Sequence, residues 1–391
     1  MKKLSPFQMV LVGFGLFSIQ TFWGFNFATL PLHLNQLTGS KTLTGLLLSS
    51  SGIFGLTVPL VAGAFSDRLR TRWGKRKPLI LVGWSLTILL LLVLPHLQTM
   101  GAIVPGILVM YASFYTGLAP YFAYMPDITP PEQQGTASGV MFFMGGAGNL
   151  IYLYFGAMNW DRSHEAPFAL ATFMIAAGAA FLLLGTREPA HPSTPERSGW
   201  IRQALGNKTV RRFYMAMVFW CSGIWIVSGF FVIAGQELFG LTTRQAIMGY
   251  FAFTASMFLF TFPMAVLSNR INPRWITAAS LFGFAGCMFG VSFCQVFTTA
   301  FGFLLAGGAA FAGIITVGYR FFLTIIPARQ RAGFMGGYMA CQFGTMLIGP
   351  FIGGVLIDTF GVRSLFLGAG AFVLTGLIIF LNMGETDTIF T

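Results

Sequence analysis

The segment GAFSDRLRTRWGKRKP, residues 63–78, crowds six basic side chains and one acid between Ser66 and Pro78 of a chain in which only 9% of residues are charged. Charge this dense marks a boundary, because the sequence on either side of it carries almost none. The 391 residues are 55% hydrophobic and 16% aromatic with a mean hydropathy of +0.74, whereas soluble domains carry roughly 25% charged residues. Uncharged windows cover 4–40, 42–66, 78–126, 133–160, 166–186, 213–236, 245–269, 275–319, 332–357 and 364–384. A membrane-crossing helix takes about 20 mostly apolar residues. Windows 78–126 and 275–319 are long enough for two each, divided by polar breaks at residues 95–98 and 295–299, so the windows predict twelve transmembrane helices. Buried helices of a soluble protein would need polar faces, which these windows lack.

The basic residues set the orientation. With the N-terminus in the cytoplasm, the inner side receives Lys2, Lys3, the six of the opening segment, the six from Arg187 to Arg212, and Arg270, Arg274, Arg329 and Arg331. Only Lys41, Arg162, Arg244 and Arg363 fall outside, and Arg320 alone lies within a span. This asymmetry predicts a multi-pass protein of the plasma (inner) membrane with both termini cytoplasmic. The basic start MKKLSP reads as the head of a retained first span, since the apolar run behind it exceeds the 7–15 residues of a signal peptide. Anionic lipid heads account for the net charge of +12, so the bilayer is the expected partner and nucleic acid is not.

The longest polar stretch, 187–212, divides the chain into a six-helix N-terminal bundle, 1–186, and a six-helix C-terminal bundle, 213–391, with a surface helix expected around Trp200–Leu205. The halves echo each other: PPEQQGTASGV (130–140) is matched by PARQRAGFMGG (327–337), and Ser66-Asp67-Arg68 by Ser268-Asn269-Arg270. The predicted fold is all-α integral membrane, and duplicated six-helix halves point to a secondary transporter with its solute site near the midplane. Short loops leave no room for a catalytic domain, so no enzyme activity is expected. Cys221, Cys287, Cys294 and Cys341 all fall in predicted spans, with no disulfide or metal pattern, and no cofactor motif is present.

Within the opening segment, Gly63 and Ala64 are small enough to let span 2 run close to a neighbour. Asp67 sits where that span leaves the membrane, placed to pair with Arg68, Arg70 and Arg72 and to hold the cytoplasmic side shut. The segment resembles the loop 2–3 signature of the major facilitator superfamily, in the extended form found in glycoside–pentoside–hexuronide transporters and plant-type sucrose transporters. FWGFNFATLP in span 1 and MPDIT at the end of span 4 are similar to the same group. The resemblance implies alternating access around a central cavity, a sugar or glycoside as the solute, and Gly63, Asp67, Arg68 and Gly74 as gate residues with Asp127 as their partner. It does not bring the group's coupling acids. Val58 and Phe54 stand where sodium-coupled members carry aspartates, and Tyr111 stands near the aspartate of proton-coupled sucrose carriers. Transport is therefore expected to be weakly coupled, or coupled through an unusual group.

Polar groups inside spans need a partner or a task. Gln20, Trp23 and Asn26 share one helical face, and a ring beside amides suits a sugar: the indole stacks on the pyranose while the amides bond its hydroxyls. Asn149 with Tyr152, Tyr111 with Tyr115, Trp225 and Gln342 complete the candidate solute site, with interhelical bonding as the competing reading for each. Arg320, beside Tyr319, lies seven residues before Pro327, about 10 Å along a helix. It can snorkel to the headgroups, or offer its fork to sugar hydroxyls or to the carboxylate of an anionic glycoside. Two other functions fit the composition. The 44 Phe and 19 Met would line the adaptable walls of an exporter of drugs or amphipathic metabolites, and missing coupling acids would suit a receptor or assembly factor that lost transport. The chain is expected to act as a monomer.

Overall fold

The computed structural model describes residues 3–188, 206–326 and 331–383. Among these, twelve helices are long and apolar enough to cross a membrane: Pro6–Thr38, Lys41–Arg68, Lys77–His96, Met100–Ile128, Gln134–Asn159, Ala166–Gly185, Lys208–Ser228, Thr243–Leu267, Pro273–Phe293, Phe297–Thr324, Phe334–Phe360 and Arg363–Leu381. They are spans 1 to 12 below. The only β-type pairing among the described residues is an isolated bridge between Thr71 and Gly74.

Local sequence explains where the helices start. Ser5 and Gln8 form a reciprocal capping box with Pro6 at the first turn of span 1, and Thr242 with Gln245 repeats the box at span 8. Such caps satisfy N–H groups that the helix itself leaves unpaired. Asn207 accepts from the backbone N–H groups of Thr209 and Val210, so span 7 begins at Lys208. That is five residues inside the stretch read as linker, because charged residues in a first turn look like loop in a composition scan. Span 1 is interrupted: one helix runs Pro6–Ala28 and a second Leu30–Thr38, with Thr29 between them. Pro31 in the first turn of the second piece supplies no N–H to continue the ladder. The expected surface helix at Trp200–Leu205, and residues 327–330 of the second-half echo, lie outside the described residues.

Contacts divide the chain into two compact units, residues 1–39 with 53–194, and residues 40–52 with 195–391. In the first, span 1 packs on spans 5 and 6, and span 3 on spans 4 and 6. In the second, span 7 packs on spans 11 and 12, and span 9 on spans 10 and 12, so the pairing repeats. Helices in lipid gain nothing from hydrophobic association, so close backbone approach through small residues carries their packing. A Cβ on Gly148 would meet the Phe17 carbonyl at 2.5 Å, and one on Gly376 the Ala216 carbonyl at 2.8 Å.

Candidate functional site

The loop between spans 2 and 3 is organised by one tight turn. The Thr71 carbonyl accepts from Gly74 N–H at 3.0 Å, and its hydroxyl accepts from Trp73 N–H while donating to the Gly74 carbonyl. Gly74 has φ +98°, a conformation that side chains oppose, and a Cβ there would run into the Glu188 carboxylate. The turn sends the next residue but one inward. Arg76, 6% exposed, bonds Asp67 at 2.8 Å and Asp127 at 3.1 Å. It also donates to the Ser66 hydroxyl at 3.2 Å, while its backbone N–H donates to the Glu188 carboxylate at 3.0 Å. Lys75 reaches Asp127 at 3.3 Å, and Lys77 donates to the Leu183 and Thr186 carbonyls at the end of span 6. One guanidinium thus ties the ends of spans 2 and 4, and its own backbone is tied to the end of span 6.

This corrects two sequence expectations. Asp67 pairs with Arg76, not with Arg68, Arg70 or Arg72, because the turn at Gly74 reverses the chain before the partner. Arg68 is exposed and joins no ion pair among the described residues. A Cβ on Gly63 would meet no described atom within 4 Å, so no described residue makes the close helix approach expected there. Arg76 and Glu188 were missed: six adjacent basic residues look alike in sequence, and only the glycine turn says which face inward.

In the first unit, the Tyr111 hydroxyl donates to Asn26 Oδ1 at 2.6 Å, with both residues buried. Asn149 Nδ2 donates to the Gln20 backbone carbonyl at 2.9 Å, and Tyr152 hydrogen-bonds Thr29. Trp23 stacks on Phe27 with centroids 5.5 Å apart, edge-on to Tyr115 at 6.3 Å. The structure therefore pairs Asn26 with Tyr111, Trp23 with Tyr115 and Asn149 with the Gln20 backbone, and ties Tyr152 to Thr29 instead of to another candidate. One acceptor is left over: the buried Asn149 Oδ1 has no hydrogen-bond partner among the described residues.

In the second unit, Trp225 and Gln342 meet at a narrow cavity whose other walls include Trp220, Cys221, Phe311 and Tyr338. The Trp225 indole N–H donates to the Gln342 backbone carbonyl at 3.0 Å, which fixes the ring, and the Gln342 side-chain oxygen on the cavity wall accepts from Cys221 Sγ at 3.8 Å. Rings plus one amide, with no charged side chain among the lining residues, can hold the apolar face and a hydroxyl of an uncharged solute. Tyr338, absent from the sequence reading, lies four residues and thus about one turn before Gln342. Tyr319 and Arg320, expected as a solute-binding pair, do not line this cavity. Arg320 donates to the Ser268 hydroxyl at 2.6 Å and to Asn269 at the end of span 8. Its fork is held by the second-half counterpart of Ser66-Asp67, while Tyr319 lies edge-on to Tyr338 at 5.7 Å.

Two further acids, Asp358 and Glu237, are also engaged. The Asp358 carboxylate accepts from the Ser40 hydroxyl at 3.0 Å and from Thr42 N–H at 2.8 Å, capping the start of span 2. Glu237 pairs with Lys41 at 2.9 Å.

The family profile described as Major Facilitator Superfamily matches residues 12–257 and 236–387. The chain belongs to the major facilitator superfamily. This superfamily chain is similar to human solute carrier family 45 member 4, 27% identical over 38% of this chain and 22% of that one. It is also similar to the sucrose transport protein SUT1 of Oryza sativa subsp. japonica, 24% identical over 41% of this chain and 34% of that one. The matches thus span about a third or less of these relatives' own length. Multidrug resistance protein 1 of Bacillus subtilis is 25% identical over 84% of each chain. Among solved structures, the nucleoside transporter NupG shares the fold, with a TM-score of 0.77 at 14% identity over 98% of this chain and 100% of that one.

Proposed function

We propose that this superfamily member carries an uncharged sugar or glycoside across the membrane by alternating access. The cavity bearing Trp225, Tyr338 and Gln342 carries the reading, because rings set beside an amide match the two chemistries of a pyranose, its apolar face and its hydroxyls. The names of similar proteins, a sucrose transport protein and a proton-associated sugar transporter of Mus musculus, support it. Asn26, Trp23, Tyr111 and Asn149 are the first-half candidates, with the Asn149 acceptor awaiting a donor. Asp67, Gly74, Arg76 and Asp127 form the gate hub. In this reading 1–186 and 213–391 are the two six-span halves, 187–212 joins them, both termini are cytoplasmic, and the protein works as a monomer in the plasma (inner) membrane.

A second reading, export of drugs or amphipathic metabolites, is favoured by the similarity to a multidrug resistance protein along most of both chains. A thermal-shift screen of the purified protein against sugars, glycosides and lipophilic cations separates the two, because a bound ligand raises the melting temperature by mass action. The first reading expects sugars or glycosides to raise it, with the rise lost in Gln342→Ala. A rise with lipophilic cations alone would overturn it.

A further inference from the structure

The turn at Thr71–Gly74 splits the six basic residues of the loop into two sets. Lys75, Arg76 and Lys77 point into the hub described above. Arg68, Arg70 and Arg72 are exposed, and no described residue accepts a hydrogen bond or ion pair from any of them. Beside them stand Trp73, 52% exposed, and Phe65, 54% exposed, with the Arg72 guanidinium 5.6 Å from the Trp73 ring centroid. Span 2 ends at Arg68 and span 3 begins at Lys77, so this group lies at the surface of the bilayer. An arginine over an exposed indole recurs at the start of span 9, where Arg274 lies over Trp275, 60% exposed, while also donating to the Leu381 carbonyl. An indole sits at the headgroup level, one end apolar and the other wet. Three guanidinium groups that give no hydrogen bond or ion pair to a described residue present planar forks beside it that match phosphate geometry.

We infer that Arg68, Arg70, Arg72 and Trp73 form a docking site for the headgroup of an anionic phospholipid. The phosphodiester bonds the guanidinium forks, while Trp73 and Phe65 seat against the upper acyl chain. The hub uses the other three cations, so occupation of this site leaves the Arg76 network untouched.

The test uses the purified full-length protein in detergent, titrated with phosphatidylglycerol or phosphatidylcholine, with retained lipid counted by native mass spectrometry. The wild type retains phosphatidylglycerol preferentially. A triple variant, Arg68→Gln, Arg70→Gln and Arg72→Gln, loses the preference by roughly fivefold for each arginine removed. A control pair on other loops, Arg162→Gln with Arg244→Gln, keeps it. Arg72→Gln alone, whose side chain bonds neither the turn nor the hub, lowers the preference in the same direction and decides the matter if the triple variant does not fold. An unchanged preference in the folded triple or in Arg72→Gln overturns the inference, as does an equal loss in the control pair.

Discussion

Arg76 holds four groups with one guanidinium and one backbone N–H, and it does so with only 7% of its side chain exposed. Removing one partner of a buried ion pair leaves the other uncompensated. Because its acid partners are partly exposed, Arg76→Gln is expected to lower stability by about 1–3 kcal/mol, read as a drop in melting temperature in detergent. Arg76→Lys should recover part of this, since it keeps the charge but not the fork. Of the two acids, Asp67 is 43% exposed and Asp127 28%, so solvent screens the first more. Asp127→Asn should therefore destabilise more than Asp67→Asn, although both should slow transport if the hub gates the carrier. A melting temperature unchanged in Arg76→Gln, with full transport in both acid variants, would reduce the loop to an orientation signal. The sequence named Asp67, Gly74 and Asp127 through their resemblance to a known motif. It could not single out Arg76, because which of six neighbouring cations turns inward depends on a glycine with positive φ.

The spans were legible because their signal is composition: a helix in lipid satisfies its backbone internally and excludes charge, so charge-free windows map onto helices. What composition cannot show is an interruption within a window. The break of span 1 at Thr29 falls in the middle of window 4–40, and Tyr338 faces the cavity only because it lies one turn before Gln342. Side-chain pairing across helices was equally hidden. The spacing puts Asn26 on one helical face with Gln20 and Trp23, but its bond to Tyr111 spans 85 residues of sequence. That bond yields an asymmetric prediction. Tyr111→Phe should cost about 1 kcal/mol, a net hydrogen bond, while Asn26→Ala should cost about 1–3 kcal/mol because it strands a buried hydroxyl. Trp225→Ala, by contrast, removes a cavity wall and should lower solute affinity several-fold. Paired melting and ligand-titration curves check both, and an affinity loss confined to the Asn26 and Tyr111 variants would move the solute site to the first unit.

At the scale of the whole molecule, the open matter is what drives transport. A proton or sodium carrier needs a group that is free to bind the ion in one state. Asp358 caps the start of span 2 and Glu237 pairs with Lys41, so these two acids are already occupied. Uptake into vesicles under an imposed pH or sodium gradient should thus approach the external solute level without exceeding it. Gradient-dependent accumulation above that level, persisting in Glu237→Gln and Asp358→Asn, would contradict this.

The central claim is that the chain moves a sugar or glycoside, and uptake of radiolabelled sugars and glycosides by proteoliposomes tests it most directly. The account predicts saturable uptake of at least one of them, competed by the same unlabelled solute, weakened in Gln342→Ala and lost or sharply slowed in Asp67→Asn. Liposomes that contain folded protein yet take up no sugar or glycoside above the protein-free background would contradict it.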